Sequence, residues 1–87
     1  MKSQKVKLVN SEGFHMRPAG EFAAQMGKFE SDITLVHGGK KVDGKSLMNI
    51  IASAIKCGDE IEIICEGVDE EAALAKATEL INSGLGE

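Results

Sequence analysis

Apolar residues in this 87-residue chain recur at two spacings, and the switching between them limits the folds open to it. Val6 with Leu8, Ile33 with Leu35, and Ile61 with Ile63 and Cys65 stand two apart, as on one face of a strand. Ala19, Phe22, Ala23, Met26 and Phe29 recur at helical spacing, as do Ala73, Leu74, Ala77 and Ile81. A chain that alternates these patterns must lay helices on a sheet. Lys5–Leu8 reads as a first strand and Met16 to about Gly27 as a first helix. Ile33–Val36 and Lys40–Val42 are strands joined by Gly38-Gly39, a tight hairpin signal. Ser46 is a good N-cap for a short helix through about Ala52. Lys56–Asp59 is a turn and Glu60–Glu66 a fourth strand ended by Gly67. Asp69, Glu70 and Glu71 crowd the start of a last helix, where negative charge is favoured, and Gly84 stops it. The order is β-α-β-β-α-β-α, an α+β domain over residues 1–87 with a mostly antiparallel sheet. This pattern leaves strand order open.

Composition narrows the function. Net charge is −4, and there is no Trp or Tyr. General nucleic-acid binding needs a basic face and stacking rings, so that class is disfavoured. No apolar run is long enough for a membrane span, and residues 1–5 lack the apolar core of a signal peptide. A cytoplasmic protein is expected. Cys57 and Cys65 are spaced neither as a redox pair nor as half a zinc site, so no metal is expected. Cys65 is in register with Ile61 and Ile63 as a small core residue. Cys57, beside Gly58, is read at a helix end.

The segment Gly13-Phe14-His15-Met16-Arg17-Pro18-Ala19 carries the chemistry. The proline, the chain's only one, is tolerable in a helix only in the first turn, where no internal N–H bond is lost. His15 therefore sits where a helix begins. The N–H groups of Met16 and Arg17 then have no helical acceptor, and Pro18 has no N–H at all. An anion beside the imidazole would meet two amides, the positive end of the helix dipole and the Arg17 fork, which can grip two phosphate oxygens. An imidazole there offers a ring nitrogen as nucleophile. Considered singly, His15 would be a polar cap and Arg17 a solvated charge; the joint pattern with Gly13, Pro18 and Ala19 favours a phosphoryl site.

That segment resembles the active-site signature of HPr, the histidine phosphocarrier family of the bacterial phosphoenolpyruvate:sugar phosphotransferase system. The resemblance extends over Phe22, Phe29, Ser31-Asp32-Ile33, Gly58-Asp59-Glu60 and Gly67. It implies an open-faced β-sandwich, a four-stranded antiparallel sheet under three helices. It further implies a carrier, not an enzyme, that needs no cofactor. His15 would take a phosphoryl group on the ring nitrogen nearer the backbone, from phospho-enzyme I, and pass it to sugar-specific IIA components, with Arg17 stabilising it. Phe14 and Met16 depart from the family's usual Leu and Ala, enlarging apolar side chains without removing a reactive group.

Lys45-Ser46-Leu47-Met48 matches a second family feature. In many low-GC Gram-positive members the serine here is phosphorylated by an ATP-dependent kinase, and the modified form binds a catabolite-control repressor; a serine kinase/phosphorylase and that repressor are the partners this implies. Asn49 and Ile51 differ from the residues frequent in that group. The plainer reading of Ser46 is an N-cap. Leu47, Met48 and Ile51 are read as partly core and partly a docking patch beside His15, together with Phe14 and Met16. Lys45, with Arg17, is expected to meet acidic partner faces. His37, before the glycine turn, is read as an exposed polar residue. Competing functions are a regulatory module acting through Ser46, whose HPr-like examples lack the histidine, a parallel regulatory phosphorelay, and, remotely, a metal chaperone. A monomer is the default.

Overall fold

β1 (Lys2–Lys7) leads through a loop into α1 (Met16–Met26), and the hairpin of β2 (Asp32–His37) and β3 (Lys40–Asp43) follows. Then come α2 (Leu47–Ala52), β4 (Glu60–Glu66) and α3 (Glu70–Asn82). The architecture is that of a computed structural model in which residues 1–9, 11 and 13–85 are described. The sheet order is β1-β4-β2-β3, with every neighbouring pair antiparallel. The α+β order expected from the two spacings is the observed one, and strand order is now added. β4, the most apolar strand, lies in the interior of the sheet between β1 and β2.

One face of the sheet is covered. Val6, Ile33, Leu35, Val42, Ile61, Ile63 and Cys65 point inward and are buried with Phe22, Met26, Ile50, Ala73, Ala77 and Ile81 from the helices. A fully buried side chain such as Phe22 contributes roughly 1.5–3 kcal/mol. The other face is open. Lys5, Glu62, Val36 and Lys41 align across it in one row, none of them buried.

Several boundaries differ from expectation. β1 starts at Lys2 rather than Lys5, because pairing with β4 continues as far as Lys2 opposite Cys65. Polar Lys2, Ser3 and Gln4 hide this edge strand from a hydrophobic pattern. Leu8 lies beyond the strand yet is buried, its N–H donating to the Asp59 carbonyl at 2.9 Å. Leu80 joins the buried stripe of α3, while Leu74 is only partly buried. Cys57 is exposed in the turn before β4, not at the end of α2. Gly38 and Gly39 do turn the hairpin, with φ of 59° and 83°. The stop at Gly84 is a Schellman arrangement: Gly84 N–H donates to the Ile81 carbonyl and buried Leu85 to that of Leu80.

Candidate functional site

Two anchors throw a three-residue segment into solvent. On one side Gly13 has φ of +66°, and a Cβ there would stand 2.8 Å from the Ile55 carbonyl oxygen and 2.9 Å from Lys56 Cα. Only glycine lets the chain approach the turn after α2 so closely. Phe14 N–H then donates to the same Ile55 carbonyl at 3.1 Å. Its ring stacks edge-on to Phe22, with centroids 5.4 Å apart. On the other side Pro18 and Ala19 are buried in the first turn of α1. Between them His15, Met16 and Arg17 are exposed.

His15 is the N-cap of α1, in extended conformation (φ −76°, ψ 179°). Its carbonyl accepts the first helical bond, from Ala19 N–H at 2.8 Å. Its side chain makes no capping bond, so the imidazole is not occupied by the helix it starts. The N–H groups of Met16 and Arg17 precede the first intrahelical bond, so the helix offers them no acceptor. Among the described residues no carboxylate pairs with Arg17. The imidazole thus stands at the positive end of the α1 dipole, with Arg17 exposed two residues further on. Charge-assisted bonds from such donors are worth about 1.5–3 kcal/mol each.

A shallow depression of about 300 Å³ lies beside this histidine, lined by Phe14, His15, Met16, Ile51, Ala54, Ile55 and Lys56. Met16 in that lining and Met48 on α2 are 70% and 72% exposed, apolar surface that water solvates poorly. Ile51 is half-buried. One expected docking residue is placed differently. Phe14 is 4% exposed and belongs to the core, because its ring is needed against Phe22. Leu47, like Ile51, is half-buried against the core, as a residue partly core and partly surface, 4.0 Å from where a Cβ on Gly20 of α1 would lie. A larger groove of about 450 Å³ runs beside Asp32, Lys41, Asp43, Lys45 and Glu66. It shares no lining residue with the depression, and three carboxylates make it a poor seat for a phosphoryl group.

Ser46 caps α2 as expected: its Oγ accepts Asn49 N–H at 3.2 Å. Lys45 does not reach outward for a partner. Its Nζ donates to the Phe29 carbonyl at 2.7 Å, just past the end of α1, which ties the two helices together. Phe29 itself is half-buried against the core. His37 is also corrected: it is half-buried, with Nε2 3.0 Å from Asp59 Oδ2. The Asp59 carboxyl is held below its ordinary value, first by the Lys56 backbone N–H and then by His37, against some desolvation. Asp69 is held low in the same way, by the Ser31 hydroxyl first and by Glu30 N–H, with Ser31 N–H adding to them. Burial pushes the Cys65 thiol up. The sequence pattern missed the Lys56–Asp59 turn as part of the site. Its signal was present, an aspartate three residues after a lysine with glycine between. No cluster of His, Cys, Asp or Glu that would hold a metal occurs among the described residues, and no helix there is long and apolar enough to cross a membrane.

Known proteins share both sequence and shape with this chain. A family model described as the phosphorylation site of the PTS HPr component matches residues 2–83. A phosphocarrier protein HPr of Treponema pallidum is 38% identical over 82 residues, covering 94% of this chain and 93% of that protein. The HPr-like protein Crh of Bacillus subtilis is 40% identical over 76 residues, covering 87% of this chain and 89% of that protein. The crystal structure of an HPr from Thermoanaerobacter tengcongensis superposes with a TM-score of 0.96 at 37% identity, over 100% of this chain and 98% of the other. With its sheet order, its free histidine at a helix start and these relatives, the chain belongs to the HPr family of phosphotransferase-system phosphocarriers, proteins that carry a phosphoryl group rather than catalyse a reaction.

Proposed function

We propose that His15 is the residue that carries the phosphoryl group, that phospho-enzyme I supplies it, and that sugar-specific IIA components receive it. One observation carries this reading: an exposed N-cap imidazole that makes no capping bond, beside two open backbone N–H groups and an Arg17 with no carboxylate partner among the described residues. In the step proposed, the His15 ring nitrogen nearer the backbone attacks the phosphorus held on a donor imidazole. A new N–P bond forms as the donor N–P bond breaks, and the donor nitrogen keeps the electron pair. Arg17 and the N–H groups of Met16 and Arg17 then balance the negative oxygens. Nothing encloses the product, so the second transfer, to a IIA imidazole, runs by the same attack from outside. Such a relay works as a cytoplasmic monomer.

Ser46 is proposed as a second, regulatory position. Its hydroxyl is half-buried at the start of α2, where an added phosphate would keep a capping role and bring about −1.5 to −2 charge near the docking face. The likeness to Crh, described in its solution structure as the Bacillus subtilis catabolite repression HPr, favours such a role. A serine kinase and phosphorylase and a catabolite-control repressor would be the partners.

The test is direct. The protein is incubated with phosphoenolpyruvate and enzyme I and weighed intact. One acid-labile phosphoryl group is expected, absent from His15→Ala. An unmodified wild type in the presence of active enzyme I overturns the reading.

A further inference from the structure

The turn that walls the His15 depression is fastened from three sides. Asp59 Oδ2 accepts Lys56 N–H at 2.9 Å, and Asp59 N–H donates to the Lys56 carbonyl at 3.0 Å. Leu8, beyond β1, clips the far end: its N–H donates to the Asp59 carbonyl at 2.9 Å and its carbonyl accepts Gly58 N–H at 2.8 Å. His37, at the end of β2, closes the third side through Nε2 at 3.0 Å from Asp59 Oδ2. The Asp59 carboxylate is thus turned toward the Lys56 backbone and the His37 ring. Lys56 is left exposed and lines the same depression as His15. Its ammonium is the least of the influences on the Asp59 carboxylate and forms no ion pair within 4 Å among the described residues.

The overall charge of −4 opposes approach of an acidic protein. Local positive charge at the transfer point reverses that, and two exposed cations outside any ion pair among the described residues supply it: Arg17 from α1 and Lys56 from the turn. We infer that Lys56 is a specificity-determining residue of the transfer face, contacting carboxylates on the phosphoryl-donating protein, and that the Asp59–His37 pair is the positioning clasp that holds it there. This rests on His15 being the transfer point. Lys56 takes no part in the N–P exchange. It selects which donor surface settles on the depression, and so acts on encounter rather than on the chemical step.

Steady-state charging by enzyme I, measured across ionic strength, tests both parts. Lys56→Gln is expected to raise KM for the carrier about 3- to 5-fold at low salt, with kcat unchanged, and the gap should close as salt screens the contact. His37→Leu, which removes the clasp, should raise KM in the same direction. His37→Gln, which keeps an N–H donor for Asp59, should restore it. A Lys56→Gln variant that matches wild type at low salt, or a KM change that ignores salt, overturns the role of Lys56. His37→Gln behaving like His37→Leu overturns the clasp. Those results would leave the carrier reading standing, whereas a wild type that takes no phosphoryl group at all overturns both.

Discussion

Gly13 and Ala54 occupy the same backbone region with opposite chemistry, which lets one number be built from two variants. Gly13 has φ of +66° and Ala54 has φ of +57°. A left-handed residue bearing a Cβ costs about 1–2 kcal/mol. Glycine gives back about 0.4–1 kcal/mol of that through its freer unfolded chain. Ala54→Gly should therefore stabilise the fold by about 0.5–1 kcal/mol, since it removes a strained conformation and only an exposed methyl. Gly13→Ala reverses that term and adds another. Its Cβ would meet backbone atoms of Ile55 and Lys56 under 3.0 Å away, and neither can rotate aside. Forced overpacking of this kind costs about 1–3 kcal/mol. The total, about 2–4 kcal/mol, compares with about 4–13 kcal/mol for a domain of this size. Urea denaturation is the assay: the midpoint should fall at unchanged m, and Tm should drop by more than about 10 °C. Charging of His15 should fall further than the folded fraction explains, because Phe14 and His15 move with the displaced loop. If Gly13→Ala loses no more than Ala54→Gly gains, the close approach to Ile55 carries no energy and the account of how the loop is held is wrong.

Ser46→Ala should lose about 1 kcal/mol by urea denaturation, the value of one N-cap, while Ser46→Asp keeps most of it. Ser46→Asp should also be charged by enzyme I more slowly than wild type, through repulsion of an acidic donor; equal rates would count against that mechanism. Asp69 gives a pH dependence. Its folded carboxyl titrates below the ordinary 3.8, so the stability it adds is fully present above that value and is lost as pH falls through the folded one. Asp69→Asn should therefore be less stable than wild type at pH 7, and the gap should narrow below about pH 4; a gap that is the same at pH 7 and pH 3 rejects this.

The elements built on apolar spacing were legible because burial on one face forces that spacing. Phe22, Ala23 and Met26 mark α1, Ile61, Ile63 and Cys65 mark β4, and Ser46 marks the start of α2 through a local hydrogen bond. The histidine at a helix start was legible for the same reason, since Pro18 fits only the first turn. What could not be read joins distant residues. Asp69 reaches the turn at Glu30 and Ser31, and Lys45 reaches the Phe29 carbonyl. His37 looks solvated beside two glycines, yet the antiparallel return of β4 brings Asp59 to its ring. The motif puts Phe14 in a docking patch beside His15, and only the packing of α1 on the loop shows its ring to be core.

The sheet order has a consequence in time. β1 is synthesised before the other three strands but has one partner strand, β4, with Lys2 opposite Cys65. The loop carrying His15 leans on Ile55, which is also synthesised late. A nascent chain that has emerged through β3 thus holds the histidine but neither of these supports. Pairing across so long a stretch makes the closing step slow among small domains. A half-made chain therefore lacks the supports of the proposed phosphoryl site, which are complete only when β4 has been laid between the strands that await it.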